Sequence, residues 1–222
     1  NSAFWRARKC NDQNGFDNIS ELGPPPKHLT REGRLNEIND PILYTSTNKF
    51  SVLNEINAKE GDHIHTVAYM QRADHTICCA TIGEITHINR WGSGLTSEAV
   101  GNLLNELMKN MPHDFGKSFV FTDAFLSSLL KDENAKHANY IHSRILANLI
   151  FSRNPKLDAI AYSGVALESS RNYAIKPSSA DRSLQMEASF VLKITKKYKY
   201  GMYDFQILKN AEGIEFDGKF IW

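Results

Sequence analysis

A chain of 222 residues is long enough for one sizeable domain, and 41% apolar against 23% charged residues excludes wholesale disorder. With 26 basic and 25 acidic residues, a formal net charge of +1, composition provides no argument for nucleic acid. No apolar run approaches the roughly 18 residues that span a bilayer and no signal peptide opens the chain, so no membrane partner is expected.

In chain order, Phe4 to Lys9 alternates apolar and basic residues and predicts a short strand. A polar loop through Lys27 follows, stiffened by Pro24-Pro25-Pro26. After Pro41, Ile42 to Thr45 predicts a compact apolar strand. Asn48 reads as the N-cap of a helix to about Glu60, with Phe50, Leu53 and Ile56 at helical spacing and Gly61 closing it. Strands are predicted over His65–Met70 and Thr76–Ile82, and Gly92-Ser93-Gly94 as a turn before a helical middle. Helices are predicted over Thr96–Met111, Asp123–Leu130 and His137–Phe151, the first with Val100, Leu103, Leu104, Leu107 and Met108 on its apolar face. Strand character returns at Asp158–Tyr162, then in Phe190, Leu192 and Ile194 and in Tyr203, Phe205 and Ile207, with Asn210 to Gly213 as a turn. Strands, a helical middle and strands again make an α+β domain, read as a single unit over 1–222. The start at Asn1-Ser2-Ala3 without methionine reads as a processed or tagged product or as a piece of a longer protein.

Three places along the chain carry chemistry. Gly33 beside Arg34 in a loop lets the backbone turn sharply and gives the guanidinium room to grip a phosphate. Tyr44 ends a strand. Glu55 lies between Leu53 and Ile56, near the buried face of its helix, where a carboxylate must be paired or used. Arg6 and Arg8 alternate on a strand and so point the same way, as for one phosphate site. Taken singly, the same residues also fit an ion-paired glutamate, a loop arginine, a core tyrosine and two solvated strand arginines.

The ordered series is more specific than its pieces. Phe4-Trp5-Arg6-Ala7-Arg8, Leu22-Gly23-Pro24-Pro25, Gly33-Arg34-Leu35-Asn36, Pro41-Ile42-Leu43-Tyr44-Thr45-Ser46, Leu53-Asn54-Glu55-Ile56, Leu157-Asp158-Ala159-Ile160-Ala161-Tyr162-Ser163 and Asn172-Tyr173-Ala174-Ile175 follow one another. Together they resemble the RES domain family, named for an arginine, a glutamate and a serine, over roughly residues 4–177, with 185–222 as a β-rich C-terminal part. The resemblance implies a fold similar to ADP-ribosyltransferase toxins, a mixed sheet core with a central helical segment. It implies an NAD-degrading enzyme, a glycohydrolase or phosphorylase, of a family in which many members are toxins or defence effectors held by an antitoxin. NAD would be the substrate, with no cofactor or metal required. Arg34, Tyr44, Glu55 and Ser163 would be the catalytic set, and Arg6, Asn36 and Asn172 would help hold NAD. The family often reads Tyr-Pro-Ser-Val where this chain has Tyr162-Ser163-Gly164-Val165, so alignment puts the family serine on Gly164 and Ser163 one place early. A bulge at Gly164 would restore its direction. The implied partners are an inhibitory antitoxin or regulatory domain, and a homo-oligomer is compatible with the reading. Two alternatives stand beside it, a protein ADP-ribosyltransferase and a catalytically dead NAD-binding module.

The remaining features point elsewhere. Cys10, Cys78 and Cys79 form an odd set without CxxC spacing, which reads as reduced structural thiols in a cytoplasmic protein. The histidines, including His63, His65, His137 and His142, show no full metal-ligand spacing. The basic run Lys193 to Lys199 reads as a solvated edge strand whose lysines discourage aggregation.

Overall fold

The computed structural model describes residues 3–164 and 170–222. β1 (Phe4–Cys10) leads into a long loop with single 3-10 turns at Ile19–Glu21 and Lys27–Leu29, then β2 (Leu43–Ser46) and α1 (Lys49–Glu55). β3 (His63–Gln71) and β4 (Cys79–Ile82) precede the helices α2 (Glu84–Trp91), α3 (Glu98–Lys109), α4 (His113–Lys131) and α5 (Ile141–Arg153). β5 (Ala159–Ser163), β6 (Arg171–Ile175), α6 (Pro177–Ser183), β7 (Leu184–Lys197), β8 (Tyr203–Asn210), β9 (Gly213–Ile214) and β10 (Phe220–Ile221) complete the chain.

Asn48 caps α1 as its sequence requires, accepting from Phe50 N–H at 2.8 Å. The helix stops at Glu55 instead of Glu60, because Asn57 takes a left-handed φ of 46° and Ala58 N–H folds back onto Leu53 O at 2.9 Å. α4 starts at His113, well before the expected Asp123, and α5 starts at Ile141, after a 3-10 turn over Glu133–Ala138. α2, α6 and β6 were not anticipated. α2 has no side-chain cap of its own: it begins at Gly83, with φ 88°, and its first amides are capped from α4.

An eight-stranded mixed sheet organises the molecule in the order β4-β5-β6-β2-β1-β3-β7-β8, with only β4 and β5 parallel. This is an α+β architecture. β7 pairs with β3 and β8 with β7, so these two C-terminal strands belong to the same sheet as the N-terminal strand, while β9 and β10 pair separately. Alternating side chains divide the core between the two faces. Phe4, Leu43, Val67 and Tyr173 pack under the N-terminal loop, α6 and the β9–β10 hairpin. On the opposite face α1 covers Ala7, Ile64 and Ile194, while α4 and α5 cover Ile160, Tyr162 and Ala174. β1 pairs with β3 along its whole length but meets β2 only at Trp5↔Ser46, so the sheet forks between β1 and β2. The face of α3 expected to be buried is instead open, with Val100, Leu103 and Leu107 exposed. Among the described residues no helix is long and apolar enough to cross a membrane.

His65, fully buried on β3, is held neutral by its partners. Its Nδ1 accepts from Phe16 N–H at 3.0 Å, so the proton sits on Nε2 and is donated to Ser189 Oγ at 2.9 Å. Gly15, at φ 77°, makes this approach possible, since a Cβ there would stand 2.9 Å from His65 Nδ1. Burial, with Lys209 adding, depresses the imidazole from the usual 6.5 to about 4. Above pH 6.5 neither state holds the proton; between 6.5 and about 4 the unfolded chain takes it and the folded one does not. Stability is therefore expected to fall across that window by up to about 3 kcal/mol from this group. Urea titrations of wild type and His65→Gln at pH 7 and 4.5 check this. Equal losses in the two proteins would assign the pH dependence to other groups.

Candidate active site

A cleft of about 390 Å³ opens at the fork between β1 and β2. Arg6 from β1, Arg34 from the loop, Tyr44 from β2, Glu55 from the end of α1 and Asn172 from β6 all line it. Of the residues named from the sequence, Asn36 and Ser163 do not.

The loop carrying Arg34 is wound around Tyr44. The tyrosine hydroxyl accepts from Leu35 N–H at 2.8 Å and donates to Asn36 Oδ1 at 2.9 Å, while Asn36 Nδ2 donates to the carbonyls of Arg31 and Glu37. Asn36 thus positions Tyr44 from behind the cleft wall. Only glycine fits at position 33, because a Cβ there would overlap Asn36 Oδ1 and crowd the Tyr44 hydroxyl at 3.3 Å. Burial holds the Tyr44 phenol above its ordinary range, so it remains a donor. Arg34 Nη1 donates to Leu130 O at 2.6 Å and Asp132 O at 3.2 Å, the carbonyls ending α4, and its guanidinium lies 5.3 Å from the Tyr140 ring centre.

Glu55 Oε1 accepts from Asn172 Nδ2 at 3.0 Å. A carboxylate only accepts, so this bond fixes which end of the amide faces it. Asn172 Oδ1 is left buried without a partner. The expectation that Glu55 lies near the buried face is corrected: the residue is exposed, and Asn172 is the buried member of the pair. Its place in the last turn of α1 sets a negative charge against the carbonyl end of the helix, a local cost of about 0.3–1 kcal/mol that a purely structural role does not explain.

Arg6 is the cleft's least satisfied cation. Its Nη1 reaches Tyr44 O at 3.4 Å and its Nε is buried without a partner. Burial lowers its pKa to about 10, with Tyr69 opposing and Arg8 adding, so it stays charged at neutral pH. Arg8 also lines the cleft, but its guanidinium turns to Glu21 O and stands over the Phe16 ring at 4.7 Å. The two arginines thus line the same cleft, with the Arg8 guanidinium committed to Glu21 O. Thr45 Oγ1 is a further buried atom without a partner. Of six such side-chain atoms among the described residues, three belong to residues lining this cleft, on Arg6, Thr45 and Asn172. Buried polar groups are otherwise nearly always paired, so these three residues carry unused hydrogen-bonding capacity beside the cleft.

The structure does not bring Ser163 to the cleft. Tyr162↔Asn172 and Ser163↔Arg171 continue one ladder without a bulge, so Tyr162 faces the cleft and Ser163 faces away. Ser163 borders a separate space of about 30 Å³ with Thr86 and Ser127. Gly164 N–H donates to Ser170 O at 2.8 Å, and Val165 lies outside the described residues. Two aromatic residues of the cleft had no role assigned from the sequence. Tyr162, whose pKa burial raises well above its ordinary value, could be found only from its pairing with Asn172. Tyr140, at φ 55° before α5, carries no local signal, since it reaches the cleft by the packing of a distant helix.

Among the described residues no group of three or more His, Cys, Asp or Glu side chains is placed to hold a metal ion. No family model, curated protein or solved structure matches this chain.

Proposed function

We propose that the protein cleaves NAD at the bond between nicotinamide and ribose in this cleft. The observation that carries the reading is the meeting of Glu55, Asn172, Arg6 and Arg34 around one cleft, with Arg6 and Asn172 each keeping a buried polar atom without a partner. The cleft falls in the roughly 300–1,000 Å³ range of small-molecule sites. The arginines suit the pyrophosphate, with Arg6 the more available of the two. Tyr140 and Tyr162 offer aromatic faces and edges to the nicotinamide. Asn172 Oδ1 accepts from a ribose hydroxyl, while its amide holds Glu55 against the ribose.

As the bond from C1′ to the pyridinium nitrogen breaks, its electron pair goes to the ring, which leaves as neutral nicotinamide. Positive charge develops on the ribose, as in glycoside hydrolysis, and the Glu55 carboxylate stabilises it. Water or inorganic phosphate then attacks C1′, giving ADP-ribose or its 1-phosphate. The leaving group needs no proton, which suits a cleft with one carboxylate. In this reading the chain is a RES-type domain with an ADP-ribosyltransferase-like sheet, and an inhibitory partner controls it as a toxin or defence effector. The placement of Ser163 outside the cleft favours one rival, a module that binds NAD without cleaving it.

Incubation of the purified protein with NAD, with and without inorganic phosphate, is expected to release nicotinamide and to identify the acceptor from the second product. Saturable NAD binding without nicotinamide release would establish the rival instead.

A further inference from the structure

α4 buries Gly116, Asp123 and Ser127 and exposes its phenylalanines. Phe115 is 61%, Phe119 43%, Phe121 74% and Phe125 61% exposed. α5 repeats the inversion, with Ser143 and Ala147 inward and Ile141, Ile145 and Leu149 outward. α3 adds the open stripe of Val100, Leu103 and Leu107. An apolar helix face is normally turned to the interior, and here none of the described residues buries these faces.

Magnitude decides whether this is an ordinary surface. A phenylalanine has about 200 Å² to bury, so the four on α4 expose on the order of 450 Å². The outward residues of α5, which packs against α4, bring this to roughly 700 Å², and the stripe on α3, which packs against α2, adds roughly 250 Å². The largest apolar patch on a typical monomer is about 300–600 Å², whereas each partner of a standard protein interface contributes about 800 Å². Charge then selects the occupant. Lys109 pairs with Glu106 at 2.9 Å and Lys117 with Asp114 at 3.9 Å, so α3 and α4 carry no basic excess to draw an anionic lipid surface. A near-neutral apolar face, on a chain of formal net charge +1, meets its own copy without repulsion. Interfaces between identical subunits are the more apolar class. α5 also supplies an open hollow lined by Ile145, Leu149 and Phe151 that suits an aromatic side chain projecting from a facing α4.

We propose that the α3–α5 layer is a homodimer interface, covered by a second copy of this chain. Sedimentation equilibrium of the wild type from about 1 to 100 μM is expected to give twice the 25.1 kDa chain mass. Phe121→Glu combined with Phe125→Glu changes exposed residues only, so circular dichroism is expected to be unchanged. The dimer dissociation constant is expected to rise on the order of 100-fold or more. Should that variant fail to fold, hydrogen exchange of the wild type decides: α4 and α5 amides are expected to lose protection on dilution. A wild type that stays monomeric throughout overturns the proposal, as does a dimer indifferent to the double substitution. So does a monomer that binds anionic phospholipid vesicles, which would make the layer a lipid-docking surface.

Discussion

Glu55→Gln is expected to reduce nicotinamide release from NAD by on the order of 10²–10³-fold without loss of stability. The substitution keeps the shape of the side chain and an oxygen able to accept from Asn172 Nδ2, now at 3.0 Å from Glu55 Oε1. What it removes is the negative charge beside the ribose, an interaction that strengthens as positive charge moves from the pyridinium ring to the ribose in the transition state. The loss should therefore appear in kcat with KM nearly unchanged. Stability supplies the control. Glu55 sits at the carbonyl end of α1, so neutralising it relieves repulsion and should leave the protein equally stable or slightly more so. Activity that falls while the thermal midpoint holds or rises is a pattern no structural role produces. Unchanged release in the variant would remove Glu55 from the chemistry, and a matching drop in both quantities would make it a scaffold residue.

Asp123→Ala is expected to destabilise the fold by roughly 4 kcal/mol, lowering the thermal midpoint by about 10 °C. Asp123 is buried on α4 and caps a helix distant in sequence. Its Oδ1 accepts from Gly83 N–H at 2.7 Å, and its Oδ2 accepts from Thr86 N–H at 2.7 Å and Thr86 Oγ1 at 2.8 Å. Alanine removes the acceptor from all three donors, of which Gly83 N–H is buried and the two on Thr86 are partly buried, and each hydrogen bond to a charged acceptor contributes about 1.5–3 kcal/mol. Substitution by asparagine, which keeps one acceptor oxygen, should cost about half as much. The comparison is made by urea denaturation with circular dichroism. A midpoint shift below about 2 °C for the alanine variant would mean that water or a neighbouring carbonyl replaces the cap.

These two residues show where reading the chain succeeds and where it stops. Glu55 was singled out by the ordered series that contains Leu53-Asn54-Glu55-Ile56, whereas the local inference from Leu53 and Ile56, a place near the buried face, did not hold. Asp123 was visible only as the first residue of an expected helix. Its work is done on an amide forty positions earlier, and nothing in its neighbours announces that. The apolar face of α3 failed for a related reason. Periodicity correctly marks the stripe of Val100, Leu103 and Leu107, but it says that the stripe needs a partner, not that the partner lies within the chain.

The sequence by itself determined the α+β class, the alternation of β1, β3 and β7, the start of α1, and the chemical types gathered in Arg6, Arg34, Tyr44, Glu55 and Asn172. The strand alternation and the helix start follow from side-chain spacing along a single element, where backbone geometry repeats every two or 3.6 residues. The class follows from the order of the elements, and the five site residues from the resemblance of the ordered series to the RES family. Only the tertiary structure decided that these five residues line one cleft at the fork of the sheet, that Arg8 lines it with its guanidinium bonded to Glu21 O, that Tyr140 and Tyr162 belong to it, and that Ser163 does not. Those outcomes depend on strand pairing and helix packing between residues far apart in the chain. At Ser163 the physical reason is simplest: in an unbulged ladder adjacent residues face opposite sides, and with Tyr162 paired to Asn172 on the cleft side, the serine takes the other.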